Sequence, residues 1–297
     1  GADFDQPHSQ PCGDACAGPA EILLTMDIAH LKSWIGKSES ATDIASPVPL
    51  AGLAALLDHD APPWGAAELP PLAHWFYFLD HARQSELGAD GHPKRGGFLP
   101  PVELPRRMWA GGRLTFHAPI PTGATMERRS TITDVTHKTG ATGDMVFVTV
   151  SHKIFSGAGL AISEEQDIVF RDMPRGPQPP GRREQRTARV TRRITPDPTL
   201  LFRFSALTFN AHRIHYDRDY ARNVEAYPGL VVQGPLTAML LMDHFLRVRG
   251  ATRISGFSFR AQRPLFDTAP FDLCMAGNDL WALNDAHEAA FTATVSA

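Results

Sequence analysis

Residues 207–221 read LTFNAHRIHYDRDYA and residues 227–241 read YPGLVVQGPLTAMLL. The first stretch packs Asn210, His212, Arg213, His215 and Asp217 into eight residues. Two histidines so close offer an acid or a base near neutral pH. Asn210 or Asp217 could orient one of them. The second stretch runs into Gly234-Pro235, and proline is favoured in the first turn of a helix. A helix is therefore expected from Gly234 to Arg247. Its N-terminus would point free backbone N–H groups outward. Such groups can hold a carbonyl oxygen as it gains negative charge. Taken singly, each pattern also fits plain structure: backbone-satisfied histidines in a turn, and helix punctuation by Gly-Pro. In succession they make a device. A thioester carbonyl held at Gly234 acidifies its α-carbon, and a histidine with a polar partner adds or removes water across the adjacent double bond.

Reading outward, residues 200–209 (LLFRFSALTF) look like an apolar strand leading into the cluster. After the helix, residues 253–266, 269–278, 280–285 and 288–297 alternate as strands. Upstream, a helix candidate spans Pro49 to Asp58 and a Gly/Pro-rich loop spans Leu87 to Pro105. Residues 107–120, 124–140, 143–156 and 160–171 then alternate as strands. Helix then sheet, twice, is a duplicated α+β pattern rather than a βαβ crossover. The expected division is an N-terminal extension at 1–25, a non-catalytic half at 26–172, a Pro/Gly/Arg-rich linker at 173–187 and a catalytic half at 188–297. Arginines crowd the linker and its exit: Arg175, Arg182, Arg183, Arg186, Arg189, Arg192 and Arg193. They read as a solvated basic stretch, or more sharply as a surface for a phosphorylated ligand.

Composition narrows the classes. The chain has 297 residues, 43% hydrophobic and 21% charged, with a formal charge of −3. That is globular, and it lacks the basic footprint of a nucleic-acid binder. No apolar run approaches the ~20 residues that span a bilayer. Three cysteines suggest a reducing, cytoplasmic setting. Cys12 and Cys16 lack the second pair a zinc site would want. His212 and His215 could share one helical face, but no third ligand or HExxH motif accompanies them, so no metal is expected. No GxGxxG or Walker-type loop suggests a redox or nucleotide cofactor.

The two quoted stretches resemble the hydratase motif and central-helix start of MaoC-like enoyl-thioester hydratases. Residues 74–80 (HWFYFLD), 87–120 (LGADGHPKRGGFLPPVELPRRMWAGGRLTFHAPI) and 163–171 (SEEQDIVFR) resemble the two-domain branch of that family. This branch includes mesaconyl-C4-CoA and itaconyl-CoA hydratases and mitochondrial hydroxyacyl-thioester dehydratases. The resemblance runs from about Trp34 to the C-terminus. It implies a double hot-dog, two antiparallel sheets each wrapped round a central helix. The family motif is Asp-x-Asn-Pro-x-His, and here the matching run is Asn210 to His215. By that match His215 takes the place of the catalytic histidine and acts as base. Asn210 stands where the wider family has aspartate, and it can only orient water or the thioester. His212 is then a second acid/base or a structural support, and Gly234 the thioester holder. The N-terminal half would lack the motif. It would line the acyl and CoA groove through residues 96–107 and the Trp109-Ala-Gly-Gly run.

The implied reaction is reversible hydration of an α,β-unsaturated, short dicarboxylic acyl-CoA, with CoA entering only as part of the substrate. Arg213, inside the motif, is a candidate for the distal carboxylate, as are Arg260 and Arg263. Arg106 and Arg107 are candidates for CoA phosphates, and Trp109 for the groove wall or the core. The expected partner is an acyl-CoA, with neither nucleic acid nor membrane, and a homo-oligomer is left open. Three other readings stay in view: a hydroxyacyl-thioester dehydratase of fatty-acid synthesis, a hot-dog thioesterase, and a silent acyl-CoA-binding protein.

Overall fold

A computed structural model describes Gly1, residues 26–60, 64–140, 143–157 and 159–173, Gly181, and residues 183–250 and 253–297. Cys12, Cys16, Arg175, Arg182, nearly all of the N-terminal extension and half of the linker lie outside these residues.

The first half supplies β1 (Ser38–Ile44), β2 (Arg106–Phe116), β3 (Thr125–Gly140), β4 (Gly143–Ser156) and β5 (Gly159–Arg171). The second supplies β6 (Val190–Ile194), β7 (Gly256–Ala261), β8 (Phe271–Ala276), β9 (Asp279–Leu283) and β10 (Ala289–Ser296). Their spatial order is β1-β3-β4-β5-β2-β7-β10-β9-β8-β6. Each half therefore repeats one order, with β2 and β7 meeting in the middle. The duplication read from the sequence is present, but the two sheets are continuous.

Glycines make that junction possible. A Cβ at Gly111 would sit 2.9 Å from Phe259 O, and one at Gly112 would sit 2.7 Å from the Phe259 ring. Side chains on both would hold β7 away, so the Gly-Gly step allows the close pairing of Gly111 with Arg260 and Gly112 with Phe259.

Among the described residues the helices are α1 (Ile28–Lys32), α2 (Pro47–Leu56), α3 (Pro198–Leu207), α4 (Arg218–Asn223) and α5 (Gly234–Arg249). Every residue of α5 from Leu236 to Leu246 is buried. A helix apolar nearly all round belongs inside a protein, and α5 packs on β8, β9 and β10. Its one buried acid, Asp243, is held by His59 at 2.6 Å, Arg192 at 2.7 Å and Arg247 at 2.9 Å. Those partners tie α5 to the chain after α2 and to β6.

Residues 200–209 correct the sequence expectation. They fall mostly in α3, a helix, not a strand. Pro198 stands at its start, and Asp197 caps it by accepting from the Leu200 N–H at 2.7 Å. Its buried residues, Leu201, Phe204 and Ser205, recur at helical spacing. The helix candidate of the first half begins two residues earlier than expected, as α2 at Pro47. The sequence reading also missed β1. Its side chains are exposed or half-exposed throughout, so no apolar alternation announces it.

The core is largely shared. One cluster joins Leu50, Leu53 and Leu56 of α2, Met126 and Ile154 of the first half-sheet, Phe204 of α3, and most of α5. A smaller cluster around Ile132, Val146, Val148 and Phe170 lies under α1 and the Phe98–Leu104 loop.

Candidate functional site

A cleft of about 1140 Å³ runs between the two halves. Asn210, His212, His215, Gly234, Trp109, Arg106 and Arg107 all line it. These seven residues singled out in the sequence thus meet in one place, and Arg260 and Arg263 line it too. The first half supplies its share of the wall through Gly97, Phe98, Leu99 and the start of β2.

Asn210 follows α3 and Phe209, which holds the left-handed φ of +48°. Strain of this kind at a non-glycine persists only where surrounding structure imposes it. Here the Asn210 N–H donates to Ser205 O at 2.8 Å, turning the chain sharply off the helix. Asn210 Oδ1 accepts from the His212 N–H at 3.0 Å. The motif then enters a short 3-10 turn, Arg213–His215.

His215 Nδ1 lies 2.7 Å from Val231 O. A carbonyl can only accept, so Nδ1 carries the proton and Nε2 keeps its lone pair. Burial pushes the ring down to about 4, against the pull of the Val231 carbonyl. His215 is therefore a neutral proton acceptor across the physiological range. The stretch that fixes it, Val231-Val232-Gln233, leads directly into Gly234 at the start of α5. No hydrogen bond among the described residues uses the Gly234 N–H. A Cβ at Gly234 would meet Trp109 O at an ordinary contact distance of 3.7 Å.

The N-terminal half contributes more than groove wall. Its loop brings Asp90 and His92 onto the motif, residues that the sequence reading assigned no role. His92 Nδ1 lies 2.9 Å from Asp90 Oδ2. The His92 ring sits 4.0 Å from that of His212, which sits 5.2 Å from that of His215. Burial lowers His92, with Asp90 pulling the other way. Burial, then His92 and His215, push His212 down much further. His212 is the neutral middle member, which fits structural support better than acid–base work. One donor atom each of Asp90, His92 and His212 falls within 4.8 Å of the others. This is the grouping a divalent ion could use, rather than His212 with His215. Gln233 is a second missed residue: its Nε2 donates to Leu201 O and Ser205 Oγ, and Oε1 is buried in the cleft wall without a partner among the described residues.

Arginines separate into structural and free. Arg213 does not line the cleft, which corrects its expected role. Its guanidinium is committed to Asp217 at 2.7 Å, to Ala89 O at 3.1 Å and to the Tyr220 face. It staples the Asp90 loop to the motif. Arg106 is buried against Glu225 at 3.0 Å and the Tyr227 ring, so it too is spoken for. Arg107 differs. It lines the cleft, and among the described residues no hydrogen bond or ion pair engages its guanidinium. Burial lowers it to about 10, which leaves it cationic at neutral pH. Trp109 serves both readings offered for it, packing on Trp75 at 4.9 Å and Phe259 at 5.6 Å while facing the cleft.

The arginines of the linker exit are mostly paired. Arg186 bonds Glu184 and covers the Trp281 ring, Arg192 holds Asp243, and Arg193 holds Asp272. No helix among the described residues is long and apolar enough to cross a membrane.

The chain is similar to known proteins along nearly all its length. It is 49% identical over 278 residues to the mesaconyl-C(4)-CoA hydratase of Chloroflexus aurantiacus, covering 91% of this chain and 99% of that protein. A MaoC-like dehydratase from Phytophthora capsici superposes with a TM-score of 0.64 at 11% identity, covering 91% of this chain and 98% of that one. A Mycobacterium tuberculosis protein described as having a double hot-dog fold superposes at 0.52 and 13% identity, covering 88% and 95%. Residues 72–267 match the model of the family described as hydroxyacyl-thioester dehydratase type 2. That match takes in the Asp90 loop, the 210–217 motif and all of α5, so this double hot-dog chain belongs to the hydroxyacyl-thioester dehydratase type 2 family.

Proposed function

We propose that the protein is a hydro-lyase that adds water reversibly to the double bond of a short, α,β-unsaturated dicarboxylic acyl-CoA. The observation that carries this reading is the fixed tautomer of His215, an acceptor nitrogen in a cleft that also holds the open N-terminus of α5. Hydration needs a carbonyl holder that stabilises the enolate and a base for water. Gly234 and His215 supply them, and Asn210 orients the water. The reaction calls for no resident cofactor beyond the CoA of the substrate. The same residues run the reverse dehydration, since a catalyst lowers one barrier for both directions.

Arg107 supports the dicarboxylic substrate. An uncommitted guanidinium half-buried in a cleft wants an anion. In the mesaconyl-C4 thioester the free carboxylate is bonded to the carbon that takes water, so its receptor must stand near the catalytic histidines. Arg107 does, close enough to depress both His92 and His212. The relative of highest identity above bears a name of this same substrate type. A reducing, cytoplasmic compartment fits the sparse cysteines, with Cys274 buried and free.

The test is mass spectrometry of the purified chain with mesaconyl-C4-CoA, itaconyl-CoA and crotonyl-CoA, beside His215→Ala. Gain of one water on the diacid thioesters, lost in the variant, is expected. Free CoA would indicate a thioesterase. Turnover of long 3-hydroxyacyl thioesters alone would indicate the fatty-acid dehydratase. Intact substrates throughout would leave a binding protein.

A further inference from the structure

We propose that His92, oriented by Asp90, is the proton donor to the α-carbon, delivered by the N-terminal half onto the motif of the C-terminal half. The proposal rests on the hydration reading above. Hydration needs two proton positions, one to take a proton from water and one to give a proton to carbon. His215 is held as the acceptor. Asn210 cannot donate usefully or accept a proton, so the motif itself lacks the second group. Of the three histidines grouped here, His92 alone has a carboxylate partner, and a carboxylate at Nδ1 is what favours an imidazolium with a proton on Nε2.

The loop is built to be there. Gly91 holds φ +87°, and a Cβ on it would lie 1.8 Å from Ala211 O, so only glycine lets the loop press onto the motif. The Arg213 N–H donates to Asp90 O at 2.9 Å, and Arg213 Nη1 donates to Ala89 O at 3.1 Å. Asp90 is a positioning residue, fixed by its own loop: Oδ1 accepts the His92 N–H at 3.0 Å while Oδ2 takes the ring.

The step balances as follows in atoms. Water oxygen bonds to the β-carbon and gives a proton to His215 Nε2. The π pair of the double bond moves through the enolate held at Gly234 to the α-carbon. The α-carbon takes the proton of His92 Nε2, leaving His92 neutral and His215 protonated. Both rings exchange with solvent after product leaves.

The groups that act on the His92 ring are Asp90 on its own loop, Arg95 beyond it, Arg107 at the start of β2, and His212 and His215 from the motif. Asp90 favours the imidazolium, whereas burial and the two arginines oppose it. A substrate carboxylate seated on Arg107 weakens that cationic push, so a diacid favours the imidazolium more than a monoacid does.

The test is steady-state hydration of mesaconyl-C4-CoA by the full chain, with His92→Gln, Asp90→Asn and His215→Ala. General acid catalysis is worth about 10²–10⁴-fold, so His92→Gln loses ~10²-fold in kcat with little change in KM. Asp90→Asn loses about tenfold and moves the alkaline limb of the kcat profile to lower pH, because removing the carboxylate lowers His92. Calorimetry in buffers of differing ionisation enthalpy gives an independent readout. Binding of saturated methylsuccinyl-CoA takes up a proton in the wild type and none in Asp90→Asn. Wild-type kcat in His92→Gln, an unmoved limb in Asp90→Asn, or no proton uptake would overturn the assignment while hydration stands. A rate abolished by a chelator and restored by Zn²⁺ would overturn it in favour of a metal on Asp90, His92 and His212. Absence of hydration by the wild type, or full activity of His215→Ala, would instead sink the hydration reading and this assignment with it.

Discussion

Replacing Gly91 by alanine adds one methyl group at the contact between the two halves. The new Cβ would lie 1.8 Å from Ala211 O and 2.8 Å from Ala211 C, both backbone atoms that cannot swing aside. Opening the first contact merely to 3.0 Å requires a shift of about 1.2 Å. The φ of +87° adds a backbone cost of about 1–3 kcal/mol for a residue with a Cβ. A loop displaced that far breaks the Arg213 N–H to Asp90 O hydrogen bond and parts the His92 ring from His212. Misplacing a reacting group by about 1 Å can cost ~10²-fold in rate, which is the loss in kcat expected for Gly91→Ala. The assay is hydration of mesaconyl-C4-CoA followed by loss of enoyl-thioester absorbance, with a thermal melt in parallel. Gly65→Ala is the control, since Gly65 lies off the cleft and an added Cβ there meets nothing within 4 Å. Wild-type kcat and an unchanged Tm in Gly91→Ala would show that the loop does not press on the motif as described.

Arg107→Gln should lower kcat/KM for the diacid thioesters and spare crotonyl-CoA. A charged hydrogen-bond partner is worth about 1.5–3 kcal/mol, or roughly 10–150-fold, and an equal loss on both substrates would remove the carboxylate role. The kcat/KM profile should stay flat on its acid side until pH approaches about 4, where His215 protonates and activity falls; a limb near 6.5 instead would mean a solvated ring. Glu164, buried, takes hydrogen bonds from Trp75 and Gln166 at 2.9 Å and lies 2.9 Å from His74 Nε2. Burial acts to raise its carboxyl, and His74, together with His152 and the Gln166 amide, outweighs that and holds it at about 2. Because the folded value lies below the unfolded one, its stabilisation is complete above about 4.5 and drains away as pH falls toward about 2. Glu164→Leu strands those donors and should cost about 3–5 kcal/mol by denaturant titration at pH 7, with a shallower acid dependence than the wild type.

Much of the fold was legible where one side of an element is dry. β4, from Gly143 to Ser156, has the bounds its alternation implies, and α5 begins at the Gly-Pro step that announces it. β1 was not legible because a polar, exposed outer strand is held by backbone pairing to β3, which no side-chain pattern reports. α3 misled because its apolar run lacks a polar face clear enough to show a helical period, while its cap, Asp197-Pro198, carried the true signal. At the site, residues near one another in the chain were found readily. Asp90 and His92 reach the motif from more than a hundred residues away, and nothing in their local spacing points to it. The signal available was Gly91 itself, between an acid and a histidine in a loop. Arg213 was misassigned because a nearby Asp217, one helical turn on, claims it.

The pairing of β2 with β7 has a consequence for how such a chain must be made. Gly111 and Arg260, neighbours across that seam, are far apart in sequence, so the pairing cannot close until almost the whole polypeptide exists. Until then β2 offers bare backbone donors and acceptors to any passing strand, a template for misassociation. Either half expressed alone should aggregate, and the two expressed together should rescue each other into solution. The cleft between the halves is thereby tied to biosynthesis: no fragment that escapes quality control early can carry it whole.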